Sequence, residues 1–217
     1  MISILMPIYN GIEFINDSVM SIIQQKYTHW ELIIGINGHP PNSDVFTTAQ
    51  KYEHSHPNIR VYDFIESKGK SNTLNEMLTY CKYEWICLLD VDDMWLPDKL
   101  EKQIPYMENY DVIGTKCKYF GDLNISPDIP LGDISGVDFC KVNPIINSSC
   151  LLKKNLCWWD MTHDGIEDYD LWLRLWKKKC RFYNVPEILV FHRIHQKSAF
   201  NAKGNHTSVS ALVAKFR

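Results

Sequence analysis

The first ~110 residues alternate four times between a short apolar run and a stretch with helical periodicity, and few folds accept that rhythm. The runs are ISILMPIY from Ile2, WELIIGI from Trp30, IRVYDFI from Ile59 and WICLLD from Trp85. Runs this short and this apolar read as strands buried on both faces. The spacing predicts helices over Phe14–Gln25, up to Glu53, after Gly69, and over Leu96–Glu108. In the last of these, Leu96, Leu100, Ile104 and Met107 share a face, and Lys99, Glu101 and Lys102 lie off it. Strand–helix–strand crossovers bring successive strands together in parallel. The expected class is α/β, with a Rossmann-like, mostly parallel central sheet flanked by helices.

After about residue 110 the pattern changes. DVIGTKCKYFG and INSSCLLKK read as strands, separated by a loop-rich stretch with Pro127, Pro130, Gly132 and Gly136. A helix with Leu171 and Leu175, and Trp172 and Trp176, at i, i+4 spacing follows, then the strand-like RFYNVPEILVFHRIH. The expected organisation is one domain in two halves: 1–110, a smaller mixed region 111–200, and a tail 201–217, helical or disordered.

Charge and composition exclude several classes. With 23 Lys+Arg against 26 Asp+Glu, the net charge of −3 gives no footprint for nucleic acid. No apolar run approaches the ~18 residues a membrane span needs. The N-terminus, MISILMPIYNG, lacks a basic segment and a cleavage site, so it reads as a first strand and not a signal peptide. The seven cysteines form no Cys-x-x-Cys pair, which points to reduced thiols in a cytoplasmic protein and not to a zinc site.

The chemistry gathers where strands end, the edge at which open α/β sheets bind ligands. The fourth run stops at three carboxylates, Asp90, Asp92 and Asp93. Like charges so close raise one another's pKa, so a positive partner is expected. On an extended backbone Asp90 and Asp92 point to the same side. Such a pair suits Mg²⁺ or Mn²⁺, which take one or two carboxylates plus substrate phosphates; an acidic turn capping the next helix is the plainer alternative. SKGKSNTLNEM is a glycine turn at a helix start, a place for an anion, with Lys68 and Lys70 adding charge. A second acidic cluster holds Asp164, Glu167, Asp168 and Asp170; one of its members can serve as a helix cap or as a general base. His192 and His195 could complete a metal shell if their segment returns to the aspartates. Trp158 and Trp159 read as core or as a stacking surface for a sugar.

Taken together, PIYNG, ELIIGINGH, SKGKSNTLNEML, CLLDVDDMWLPDKLEKQI, EDYDLWLRL and FHRIHQKS occur in the order and spacing of family-2 glycosyltransferases, which the chain resembles over about residues 1–200. The resemblance implies the GT-A fold, a nucleotide-sugar donor that is usually UDP-linked, and inversion at the anomeric carbon. It implies a hydroxyl acceptor, normally a glycan, with Mn²⁺ or Mg²⁺ as cofactor. By position, Pro7, Tyr9, Asn10 and Glu13 would lie at the nucleoside, Asn37 at the uracil, and Gly69 and Asn75 on the nucleotide side. Asp90 would face ribose or metal, Asp92 would hold the metal, and His195 would approach the metal or diphosphate. Asp168 would be the catalytic base, with Glu167 near the acceptor; Trp158 and Trp159, by their own reading as core or a sugar-stacking surface, are the acceptor-side candidates. Residues 1–110 would form the donor half and 111–200 the acceptor and base half, in a chain that could also be one domain of a longer protein.

Two departures bear on the donor. The family's second strand usually ends Asp-Asp-Gly-Ser, whereas this one reads Ile36-Asn37-Gly38-His39. Ser67 and Leu74 stand where Asn and Arg are common. A non-catalytic nucleotide-sugar binder of the same fold, and a sugar-phosphate nucleotidyltransferase, are the alternative functions. The latter needs a glycine-rich basic loop after the first strand, and YNGIEFIND is not one.

Overall fold

The computed structural model describes residues 1–196 and 205–217. The four apolar runs are strands: β1 (Ile2–Ile8), β2 (Trp30–Asn37), β3 (Ile59–Phe64) and β4 (Trp85–Leu88). They lie side by side in the order β3-β2-β1-β4, all parallel. Every residue of β1 and β2 is buried, as expected for strands covered on both faces. Alternation along β1 divides the core. Ile2, Ile4, Met6 and Ile8 face one apolar cluster and Leu5 faces the other.

Three helices cover the first face. Ile15, Val19 and Ile22 of α1 (Ile15–Ile23), Ala49 of α2 (Asp44–Ser55) and Leu100 of α4 (Lys99–Gln103) belong to its cluster. The second face takes Leu74 and Met77 of α3 (Lys70–Met77) and Leu171, Trp172 and Leu175 of α5 (Glu167–Lys177). Leu212 and Val213 of α6 (Asn205–Ala214) join it, so the end of the expected tail is a packed helix. The boundary placed at residue 201 lies outside the described residues.

Beyond β4 the sheet continues with mixed polarity. β8 (Leu151–Lys153) pairs antiparallel with β4 and with β6 (Val112–Gly121), and β6 runs parallel to β9 (Phe182–Ile194). Two short strands were not expected from the sequence, β5 (Met94–Trp95) and β7 (Gly132–Asp133), both antiparallel to β9. INSSCLLKK is a strand only in its last part, because Asn147–Ser149 form a 3-10 turn. The helix expected over Leu96–Glu108 is shorter: it starts at Lys99, after Leu96, whose N–H bonds Leu189 O at 2.9 Å, and Pro97, and Pro105 tightens its end into a 3-10 turn. Lys99, expected off the apolar face, is fully buried. Its Nζ stands 2.7 Å from Gln103 Oε1 and 3.9 Å from the Trp95 ring centroid.

Candidate active site

The carboxyl ends of β1 and β2 and the turn before α3 enclose a cleft of about 640 Å³. Pro7, Tyr9, Asn37 and Gly69 line it together with His39 and Lys70. Asn10, Glu13, Asn75 and Asp90 are not part of that wall. Asn75 is engaged elsewhere: its amide donates to Trp159 O at 2.7 Å and accepts from Trp159 N–H at 3.0 Å.

The three aspartates after β4 each meet a different partner, so the charge that ends the strand is answered within the protein. Asp90 Oδ1 lies 2.6 Å from Lys70 Nζ, and its Oδ2 accepts from Asn147 Nδ2 at 3.1 Å. Burial alone would raise the Asp90 pKa, but Lys70 reverses that and holds it below the ordinary value. Asp93 is fully buried and lies 2.8 Å from His192 Nδ1, with the Arg193 N–H also donating at 2.8 Å. Burial would lower the imidazole of His192, yet the Asp93 carboxylate outweighs it and places the pKa at about 9. Asp92 meets His195 Nε2 at 3.1 Å. Burial, then the charges of Asp93 and Asp90, push Asp92 up to about 6.

Lys70 also reaches across the sheet edge, with Nζ 3.4 Å from Glu167 Oε1 at the start of α5. Burial would lower this lysine, and the carboxylates of Asp90 and Glu167 drive it above the ordinary value instead. Asp168, next to Glu167, is pushed up to about 7 by burial and then by the Glu167 charge. A carboxyl that titrates near neutrality can take a proton at working pH. Arg174 pairs with Asp170 at 2.7 Å, one helical turn away, so neither joins this group. Trp158 is 52% exposed, whereas Trp159 is fully buried, so only the first presents a face to solvent.

Sequence reasoning missed several members of the site. Asn147 and Ser148, whose hydroxyl accepts from the Asp90 N–H at 3.1 Å, were hidden in a stretch read as strand. Arg193 lies between the rings of Phe14 and Phe120, 4.4 and 4.5 Å from their centroids, and donates to Asp92 O at 2.9 Å. Its position between His192 and His195 was the available signal. Among the described residues, the one set of three ligand atoms within 4.8 Å of one another is Asp160, His163 and Asp170. Asp90, Asp92 and His195 do not form so tight a set.

The sequence signature described as Glycosyl transferase family 2 matches residues 3–131. The chain belongs to that family. The glycosyltransferase is 31% identical over 215 residues to the O-antigen biosynthesis glycosyltransferase WbnJ of Escherichia coli, covering 91% of this chain and 81% of the relative. Two solved structures share its GT-A fold. S. aureus TarS 1-349 in complex with UDP-GlcNAc superposes with a TM-score of 0.75 at 14% identity, over 99% of this chain and 66% of that one. The mannosyltransferase PcManGT from Pyrobaculum calidifontis, in complex with GDP-Man and Mn²⁺, superposes with a TM-score of 0.71 at 13% identity, over 91% and 58%. The family-2 chain thus spans about two thirds or less of these two structures. Among its described residues no helix is long and apolar enough to cross a membrane.

Proposed function

We propose that this family-2 glycosyltransferase is a metal-dependent inverting enzyme, transferring a sugar from a UDP-linked donor to a glycan hydroxyl in glycan biosynthesis. The observation that carries this reading is the convergence on Lys70. One cleft-lining lysine contacts Asp90 after β4 and Glu167 at the start of α5. Donor-side and base-side carboxylates therefore flank one reaction space. In this reading residues 1–110 bind the donor and 111–200 supply the base and acceptor wall. The free cysteines favour a cytoplasmic setting.

The residues present suit a divalent cation. Burial first, and then the charges of Asp93 and Asp90, raise the Asp92 pKa further than the His195 contact lowers it, so a cation beside Asp92 would be favoured. Asp92 and His195 face each other at 3.1 Å, and these two with Asp90 are the side chains that would hold the ion. Two protein ligands suffice where substrate phosphates complete the shell. Bound there, Mn²⁺ or Mg²⁺ would stabilise the charge on the leaving diphosphate. Asp168 accepts the proton of the acceptor hydroxyl as its oxygen bonds to the anomeric carbon. The bond from that carbon to the diphosphate breaks, and its electron pair leaves with the nucleotide. One displacement from the opposite face inverts the configuration.

Titrating UDP and GDP calorimetrically, with and without Mn²⁺, tests the donor side. UDP binding that needs manganese and is lost in Asp92→Asn supports the reading. Binding of neither nucleotide, or binding untouched by Asp92→Asn, removes it. A panel of UDP-linked hexoses and N-acetylhexosamines then identifies the sugar.

A further inference from the structure

The N-terminus of α3 already holds an anion, and it comes from the other half of the molecule. Asp164 Oδ1 accepts from the Ser71 backbone N–H at 2.9 Å and from the Ser71 hydroxyl. A carboxylate is favoured there by the unpaired amides and the helix dipole. Gly69 makes room for it: its φ is +84°, and a Cβ would stand 1.7 Å from Asp164 Oδ2. Nothing larger than glycine admits the carboxylate without moving the turn.

The same short segment holds the start of α5. Lys70 contacts Glu167 at 3.4 Å, while Glu167 Oε2 accepts from the Gly165 N–H at 2.7 Å. Asp164 and Gly165 are themselves exposed, and burial of Ile166 anchors only the far end of this turn. Beside the Ile166 N–H to His163 O bond at 3.0 Å, the hydrogen bonds from Ser71 are what tie the exposed side of the turn to α3. Gly69 and Lys70 also line the cleft, so one segment touches both the cleft and the turn that leads into Asp168.

We propose that Asp164 is a positioning residue, whose carboxylate, seated on the N-terminus of α3, holds Glu167 and Asp168 in register with the donor cleft. This rests on the reading of Asp168 as base. Asp164 touches no reacting atom; its effect passes through the turn. Displacing a reacting group by about 1 Å costs on the order of a hundredfold in rate.

The test uses the full chain with Mn²⁺, following UDP release from whichever UDP-sugar the wild type cleaves, with water as acceptor. UDP affinity is measured in parallel. Asp164→Ala should lower kcat by about 10- to 100-fold, with UDP affinity held within about twofold. Asp164→Asn can still accept from both Ser71 donors, and should recover kcat to within about threefold of wild type. Ser71→Ala keeps the N–H and loses the hydroxyl, so it should show a smaller loss confined to kcat, and it stands in if Asp164→Ala does not fold. Unchanged kcat in Asp164→Ala overturns the proposal. So does a parallel fall of kcat and UDP affinity, which would mark general damage to the fold. Asp168→Asn separates the two ideas. If it turns over normally, the base reading fails and takes this proposal with it. If it is inactive while Asp164→Ala is not, only the proposal fails.

Discussion

The fully buried carboxylate of Asp93 faces the imidazole of His192 at 2.8 Å, which ties the end of β4 to β9. This contact explains how a strand can end on three negative charges. β9 and the residue after it deliver His192 to Asp93, the Arg193 N–H to the same carboxylate, and His195 to Asp92. Lys70 and Asn147 take care of Asp90.

His192 should therefore be a pH-dependent support of the fold. Its ordinary pKa of 6.5 is raised to about 9 in the folded chain. Between those values the folded state holds a proton that the unfolded state lacks, so stability falls as pH rises. The contribution is complete below about pH 6.5 and lost through about pH 9. His192→Ala should cost about 2 kcal/mol near pH 6 and flatten this slope. Urea melts from pH 6 to 9 check it, and an unchanged slope in the variant would count against the assignment.

Asp168 should set the acidic limb of activity. A general base must be ionised, so kcat/KM should rise with pH through about 7. Asp168→Asn should lower kcat by about 10²- to 10⁴-fold. Stability moves the other way. Between its ordinary value of 3.8 and about 7 the folded chain keeps a proton that the unfolded chain has lost, so stability falls as pH rises through that window. Asp168→Asn should accordingly be more stable than wild type at pH 8. A variant less stable there, or a flat rate profile between pH 6 and 8, would contradict the burial-driven shift.

Lys70 restrains that shift, because its charge favours the ionised form of Asp168. Lys70→Met leaves Asp90, Glu167 and Asp168 without their shared cation. The midpoint of the acidic limb should then move above 7, by about one pH unit or more, with lower stability at pH 8. Donor-hydrolysis rates across pH read this directly, and an unmoved midpoint would mean the lysine does not act on the base.

How much of this was legible in the sequence follows from what kind of information each feature carries. The parallel strands were readable because Ile4, Met6, Leu32 and Ile34 belong to short runs buried on both faces, and that pattern is local. Lys99 was misread because helical periodicity on its own places a lysine outside, and only the long-range approach of Trp95 and Gln103 brings it in. The candidate carboxylates were legible as motifs, but their partners were not. Asp164 meets Ser71 and Asn147 meets Asp90 across the fold, and no spacing rule records such pairings. β5 and β7, two residues each, are too short to leave a period at all.

The cleft proposed for the donor carries the last prediction. Tyr9 at its mouth is 57% exposed, with its ring centroid 5.5 Å from that of His39. His39 Nε2 lies 2.5 Å from Tyr9 O, and Gly38, at φ +70°, passes so near that a Cβ would stand 2.9 Å from the Tyr9 ring. The ring is thus held from behind with a face to solvent, an arrangement suited to stacking a flat base. Base–aromatic stacking contributes about 1–3 kcal/mol, so Tyr9→Ala should weaken UDP binding by about 5- to 150-fold. Tyr9→Phe should bind as wild type does. If Tyr9 serves to stack the base and nothing else, kcat at saturating donor should change little. Calorimetry of the two variants, set beside kcat, decides it: unchanged UDP affinity in Tyr9→Ala would mean the base lies elsewhere in the cleft.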